Sequence, residues 1–441
     1  MEQRRKNLTQ LFIPICLETL LYMLSGMVDT LMLSSVNDQA VGAVGTANTY
    51  IGIFIIMFSV ISSGMVAVMT QNIGAGRPGV AYQARQLGLV FNAALGVIMS
   101  LFLSLGAGTI LSGVGVADAL MQPAKTYLQI VGGFCILNAL IPICSSYLRA
   151  FGFSKEPLYA SIIGNVINFC LNAFFLFVLH KGVAGVATAT VISRIINLVI
   201  VVLLGAVLVK AKQHPERESN RAVMGQIIRI GLPSACETAI YNVSMTLVIR
   251  FLNQMDAQGL NVTARSYTMQ ITNFSYCVGA ALAQANAIMT GWHIGAKEYD
   301  ACDRGTKKAA VIGVIVAVIL ETVFTLCSGW IMQLFSKDPQ MVSLVGKLLA
   351  IDIVLEIGRV TNLVYGQALK TSGDAVFPVV MGACFMILCS VGGTYLFGIR
   401  LSLLAVGAYI GMTGDECVRA VGMYLRWKSG KWKEKGLVKS R

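Results

Sequence analysis

Charge is what this chain has least of. Only 12% of its 441 residues are Asp, Glu, Lys or Arg, against about 25% in an ordinary soluble domain. Histidine is nearly absent, with three in the whole chain. No HExxH, Walker or nucleophile-elbow pattern occurs, which removes the common hydrolase and nucleotide-binding chemistries and argues against an enzyme. The 11 cysteines form no CxxC pair and mostly sit inside apolar runs, where they act as small hydrophobes. Neither a disulfide framework nor a metal site is implied. Long polar stretches are scarce too: residues 210–225 are the one sizeable hydrophilic segment between apolar runs.

What is present is hydrophobic. The apolar residues make up 56% of the chain and the mean hydropathy is +0.72, which places it in a membrane. Runs long enough to span about 30 Å of hydrocarbon lie near 10–34, 46–70, 86–111, 126–148, 157–179 and 183–209. They recur near 226–251, 266–290, 308–334, 343–369, 375–398 and 401–425. The expected fold is therefore an all-α integral membrane protein of twelve transmembrane helices, six in each lobe. Residues 1–209 form the first lobe, 210–225 a cytoplasmic linker, 226–425 the second lobe and 426–441 a basic tail. The apolar run after Met1 is too long for a signal-peptide core and reads as a retained first span. With both termini inside, most of the 34 Lys and Arg fall on the cytoplasmic face, so the net charge of +13 follows the positive-inside rule and needs no nucleic acid. Trp427 and Trp432 in the tail are expected at headgroup level.

The two halves are copies. Pro14, Glu18, Thr19, Tyr22 and Ser25 return as Pro233, Glu237, Thr238, Tyr241 and Ser244, 219 positions on. Ile73 to Ala75 returns at Ile294 to Ala296, and Leu148 and Arg149 return as Leu369 and Lys370. An even number of spans per half gives both the same orientation, hence two pseudo-symmetric lobes about an axis along the membrane normal. One position breaks the symmetry: the partner of Asp29 is Val248.

Pro14, Glu18, Tyr22, Ser25 and Asp29 recur every three to four residues and share a helical face. A carboxylate at membrane depth costs about 2.5–3.5 kcal/mol on insertion scales, so such a stripe points to a protein interior or a wet path. Glu18, Tyr22, Glu237, Tyr241 and Tyr267 are the expected substrate-cavity residues, with Met23 and Met27 as adaptable apolar wall. Asn165, Asn168 and Asn172 share a face of the fifth span, where amides serve either as interhelical glue or as ligands. Thr188, Thr190 and Ser193 in the sixth suit close packing or oxygen ligation equally. Asp352, Glu356 and Arg359 lie on one face of the tenth span as a possible second charge site, with Glu356 and Arg359 spaced to pair. Glu321 has no partner legible in sequence.

Taken together these residues resemble the multidrug and toxic compound extrusion (MATE) family, most closely its bacterial DinF-like branch. The resemblance rests on Pro14 with Val28, Asp29 and Thr30, on Gln71 with Gly74 to Gly76, and on Leu148 to Ala150 with Ser154 to Pro157. Asn168, the stretch Gly182 to Ala187, and Gly366 to Pro378 around Leu369 and Lys370 complete it. It implies two lobes around a central cavity that export organic compounds, by alternating access, in exchange for H⁺ or Na⁺. The coupling site it implies is Asp29, Asn168 and Thr190, with Asn172 where that branch carries a second carboxylate. Arg359 stands near the position at which another branch has an acid. No cofactor beyond the coupling ion is implied. The expected partners are a small-molecule substrate and membrane lipid, for a monomer in a bacterial inner membrane. A lipid-linked precursor flippase of the same superfamily and a non-transporting scaffold or receptor are the competing readings.

Overall fold

The computed structural model describes residues 6–34, 38–113, 116, 118–210, 214–256, 258–333 and 335–438. Arg4, Arg5 and Lys212, counted among the cytoplasmic charges, lie outside them. Among the described residues there is no strand. The chain divides into two units, Met1–Gly231 and Leu232–Arg441.

The first unit contains α1 (Leu8–Ser34), α2 (Asp38–Gly74), α3 (Pro78–Gly113), α4 (Asp118–Tyr127), α5 (Ile136–Ala150), α6 (Lys155–Ala173) and α7 (Gly182–Leu208). The start of α8 (Asn220–Met255) closes it. Pro14 sits inside α1, so it cannot donate to the carbonyl of Gln10. The hydroxyl of Ser154 donates to that carbonyl instead, at 3.0 Å, which pins the start of α6 against α1. The fourth span is a broken one: the helix through Gly132 and α5 are bent by 43° at a break over residues 133–135, directly after a π-turn at Leu128–Gly132, a usual companion of a sharp kink. A core of small and branched side chains, among them Ala43, Ala47, Leu103, Ala107 and Leu128, holds the unit together.

α8 begins at Asn220, inside the stretch read as linker, and of the described residues just before it 214–219 are non-helical. That stretch is fastened to α3. Gln83 donates to the Glu218 carbonyl at 2.7 Å and accepts from its amide at 3.0 Å, and Arg77 pairs with the Glu218 carboxylate at 2.7 Å. The unit boundary falls within α8 because its first turns pack directly on α2. A methyl at Gly231 would overlap the Val60 carbonyl, and one at Gly64 the Ile227 carbonyl. Only glycine permits that approach.

The second unit continues with the rest of α8, then α9 (Leu260–Gly295), α10 (Tyr299–Leu326), α11 (Ser328–Met332), α12 (Pro339–Ser372), α13 (Val376–Phe385) and α14 (Leu404–Lys428). α9 starts where Asp256 accepts from the amides of Leu260 and Asn261, at 2.8 and 3.0 Å, and from the Asn261 side chain at 2.6 Å. Although desolvation opposes it, these donors hold the Asp256 carboxyl below its usual range. Val248, Leu252, Val345, Leu348 and Tyr409 belong to this unit's core.

Counting each broken helix once, the described chain makes twelve long helical passages. Seven are long and apolar enough to cross a membrane by themselves, or eight with α4 and α5 taken as one span. The remaining four, α8, α9, α12 and α14, all lie largely in the second unit. They carry most of that unit's buried charges and amides, which lowers their hydropathy. Large apolar side chains such as Leu105, Leu326 and Val207 stand 82, 80 and 72% exposed, a surface that suits lipid and not water.

The tail departs from expectation. Trp427 and Trp432 are buried rather than spread at headgroup level, stacked with ring centroids 4.1 Å apart. Trp432 donates to the Trp427 carbonyl at 2.9 Å and Trp427 donates to Asp303 at 2.8 Å. Arg426 meanwhile pairs with Asp374 at 2.7 Å. Folding the tail back gives both indole N–H groups an acceptor inside the protein, which a headgroup layer would otherwise have to supply.

Candidate functional site

In the first unit α1 and α6 lie side by side and bring Asp29 to the Asn face of α6. Asn172 donates to the Asp29 carboxylate at 2.6 Å and to the Asn168 side-chain oxygen at 3.1 Å. Asn168 and Asn172 are buried, 5 and 0% exposed. Higher on the same face, Asn165 donates to the Leu21 carbonyl at 3.5 Å, the helix-glue role. The spacing of four residues, from 168 to 172, is what aligns the two amides on one side of the helix. The amide oxygen of Asn172 is buried and unpartnered.

Thr190 of α7 is buried, but its hydroxyl donates to Val186 in its own helix at 2.9 Å and not to Asp29. The helix that carries it supplies a different neighbour: Arg194, one turn on, lies within electrostatic range of Asp29 and of the buried Tyr127. The sequence reading passed over both. Arg194 follows Thr190 by four residues, so its shared face was available as a signal. The site is thus one carboxylate bonded to an amide, with a guanidinium in its field. At the corresponding position of the second unit, Val248 is fully buried in the apolar core.

The duplicated acids behave alike. Glu18 pairs with Arg149 at 2.6 Å, and Glu237 pairs with Lys370 at 2.5 Å. Each joins the first long helix of its motif copy to a base in the last turn of the fourth span. All four side chains are mostly buried, between 11 and 17% exposed. The two pairs explain why these markers recur together in sequence: each acid requires its base. Tyr22 and Tyr241 stand on exposed faces of α1 and α8, 67 and 37% open. Tyr267 instead packs on the second core and on Phe335, with ring centroids 5.5 Å apart.

The second unit's charges form a larger assembly than the tenth span alone suggested. Arg359 bonds to Glu356, as its spacing predicts, and also lies 3.7 Å from Glu416. Arg419 holds Asp415 at 2.8 Å and Glu416 at 2.9 Å, and Asn362 donates to Glu416 at 3.0 Å. Asp415, Glu416 and Arg419 were not singled out in sequence, although their spacing of three and four on one span is the same signal that marked α12. Glu321 of α10, without a sequence partner, lies against Asp352 and Glu356.

Comparison with known proteins comes out consistently. A family profile described as MatE matches residues 14–174 and 233–396, one block in each unit. The chain is 33% identical over 431 residues to an uncharacterized transporter, YisQ, of Bacillus subtilis, covering 96% of this chain and 94% of that one. It is 22% identical over 444 residues to a probable multidrug resistance protein, NorM, of Thermotoga maritima, covering 98 and 94%. Among solved structures, a MATE protein in a bent conformation superposes with a TM-score of 0.88 at 18% identity, over 97% of this chain and 96% of that chain. An outward-facing multidrug resistance MATE transporter gives 0.86 at 18% identity, over 98 and 96%. At such identity the structural match speaks for the fold alone.

Proposed function

This chain belongs to the MatE family, whose members are multi-pass membrane transporters and not enzymes, and on that premise we propose that it is a secondary active antiporter. It exports amphiphilic, cationic organic compounds across a bacterial cytoplasmic membrane in exchange for protons, as a monomer with both termini inside. Relatives named as multidrug resistance proteins support the substrate class.

The observation that carries the coupling is the bond from Asn172 to Asp29 at 2.6 Å, in a unit whose counterpart position is the apolar Val248. A sodium site needs several oxygens with a strong negative field. Here one carboxylate is offered where the resembled branch has two, and the Arg194 guanidinium opposes a second cation. A proton needs only the carboxylate. Loading it on Asp29 removes the charge that holds Asn172 and frees α1 to repack against α6. A gradient of one pH unit supplies about 1.4 kcal/mol per proton, so the two packings must be close in free energy for it to bias the exchange.

The test is efflux from vesicles under separately imposed proton and sodium gradients. The proton gradient should drive export and the sodium gradient should not. Asp29→Asn should abolish gradient-driven export while leaving substrate binding in place. Normal export by that variant would move coupling to the second unit.

A further inference from the structure

We propose that the first unit binds the phosphate of an anionic phospholipid headgroup in the corner between Arg85 of α3 and Tyr147 of α5, at the end its arginines mark as cytoplasmic. Neighbouring bases are neutralised: Arg77 holds Glu218 at 2.7 Å and Arg149 holds Glu18 at 2.6 Å. Arg85 is not. Its guanidinium carbon lies 4.7 Å from the centroid of the Tyr147 ring, and its hydrogen-bonding neighbour is the Cys144 thiol. No carboxylate among the described residues pairs with it. A thiol is a weak acceptor, whereas a guanidinium carries five N–H donors. Stacking uses the flat face of the guanidinium and leaves its edges, where those donors point, for a bidentate anion.

The phenol gives a second, separate observation. Tyr147 is 1% exposed, and its hydroxyl has no hydrogen-bonding partner among the described residues. A buried hydroxyl in that state calls for a ligand. Because the guanidinium is stacked on the ring, its edge and the hydroxyl are near enough for one phosphate to bridge them. The rim is cationic and polar. Tyr82, half-buried on α3 and within electrostatic range of Tyr147, accepts from Gln86 at 2.5 Å, which leaves its own proton to donate. Arg217, exposed on the stretch 214–219, stands 5.7 Å from the Tyr82 ring centroid.

Depth selects a lipid over a phosphate in solution. The first large apolar side chains of α3 to stand exposed are Val90 and Phe91, 69 and 43% open. Arg85 precedes that apolar band by about 8 Å along the helix, the depth of the headgroup layer. The second unit does not repeat the corner, since Tyr82, Arg85 and Tyr147 return as Asp303, Thr306 and Ala368. Thr306 is neutral and accepts from Asn286 at 3.4 Å, and Asp303 accepts from the Trp427 indole at 2.8 Å. One such site per chain is expected.

The site stands apart from the coupling reaction and is read without transport. The experiment is native mass spectrometry of the delipidated full chain in neutral detergent. Phosphatidylglycerol, diacylglycerol with the same acyl chains, and inorganic phosphate are titrated in turn. One phosphatidylglycerol per chain should bind at least about tenfold tighter than diacylglycerol, the worth of a charge-assisted hydrogen bond. Arg85→Gln should lose that preference, and Arg85→Lys should recover only part of it, because an ammonium does not grip a phosphate bidentately. Tyr147→Phe keeps the stacked ring and should weaken the lipid about fivefold. Arg221→Gln removes an exposed base of the same unit and should bind as the parent does. Circular dichroism and elution volume check each fold; where Arg85→Gln does not fold, Arg85→Lys and Tyr147→Phe carry the test. Equal binding of phosphatidylglycerol and diacylglycerol, or unchanged preference in the folded variants, would overturn the proposal. Inorganic phosphate that displaced the lipid at equal concentration would overturn it in favour of a soluble phosphate ligand.

Discussion

Removal of Arg149 should expose how strongly the first unit depends on its long-range ion pair. Arg149 Nη2 lies 2.6 Å from a Glu18 oxygen, with side chains 11 and 17% exposed. That is a charge-assisted bond largely shielded from water, not a surface pair. Arg149→Ala strands the Glu18 carboxylate beside α6 with no neutralising base, and breaking a buried pair from one side costs about 3–5 kcal/mol. Some remaining access to solvent places the expected loss near about 3 kcal/mol, roughly a hundredfold in the folding equilibrium. Glu18→Gln keeps an acceptor of the same shape and leaves a guanidinium with more freedom to reach solvent, so about 1–2 kcal/mol is expected. The double variant removes both charges and should cost less than the sum of the two single changes. The coupling should be at least about 1 kcal/mol, as for residues in direct contact. Chemical unfolding of purified protein, read on all four forms, measures it. Strict additivity within about 0.5 kcal/mol would refute the reasoning, and with it the account of why Glu18 and Arg149 recur together as Glu237 and Lys370.

Gly231→Ala drives a methyl into the Val60 carbonyl, whereas Gly225 in the same helix has open space around it. Gly231→Ala should therefore lose about 1–3 kcal/mol or fail to accumulate, while Gly225→Ala should match or slightly exceed the parent, both read by thermal unfolding. Trp432→Ala removes the stacked ring and its bond to the Trp427 carbonyl. Limited proteolysis should then cut the chain after Lys428 many times faster, and an unchanged cutting rate would show that the tail is held by other contacts.

Everything local was legible in the sequence. Span lengths, the six-plus-six repeat, the face shared by Asn168 and Asn172, and the Glu356–Arg359 pair all follow from helix geometry, which sets neighbours three and four residues apart. The loss of the acid at Val248 is visible by aligning the repeat, and its burial in an apolar core agrees. What tertiary structure alone decided is which helices touch. Glu18 and Arg149 are 131 positions apart, and Glu321 meets Asp352 and Glu356 only because α10 packs on α12. No periodicity within one helix encodes that choice. The same holds for the tail: its tryptophans and lysines fit a membrane surface by composition, and only the acceptors at Asp303 and the Trp427 carbonyl turned them inward. A polar group at depth takes whichever partner the packing brings within bonding distance, because an unpaired one costs more than any local preference saves.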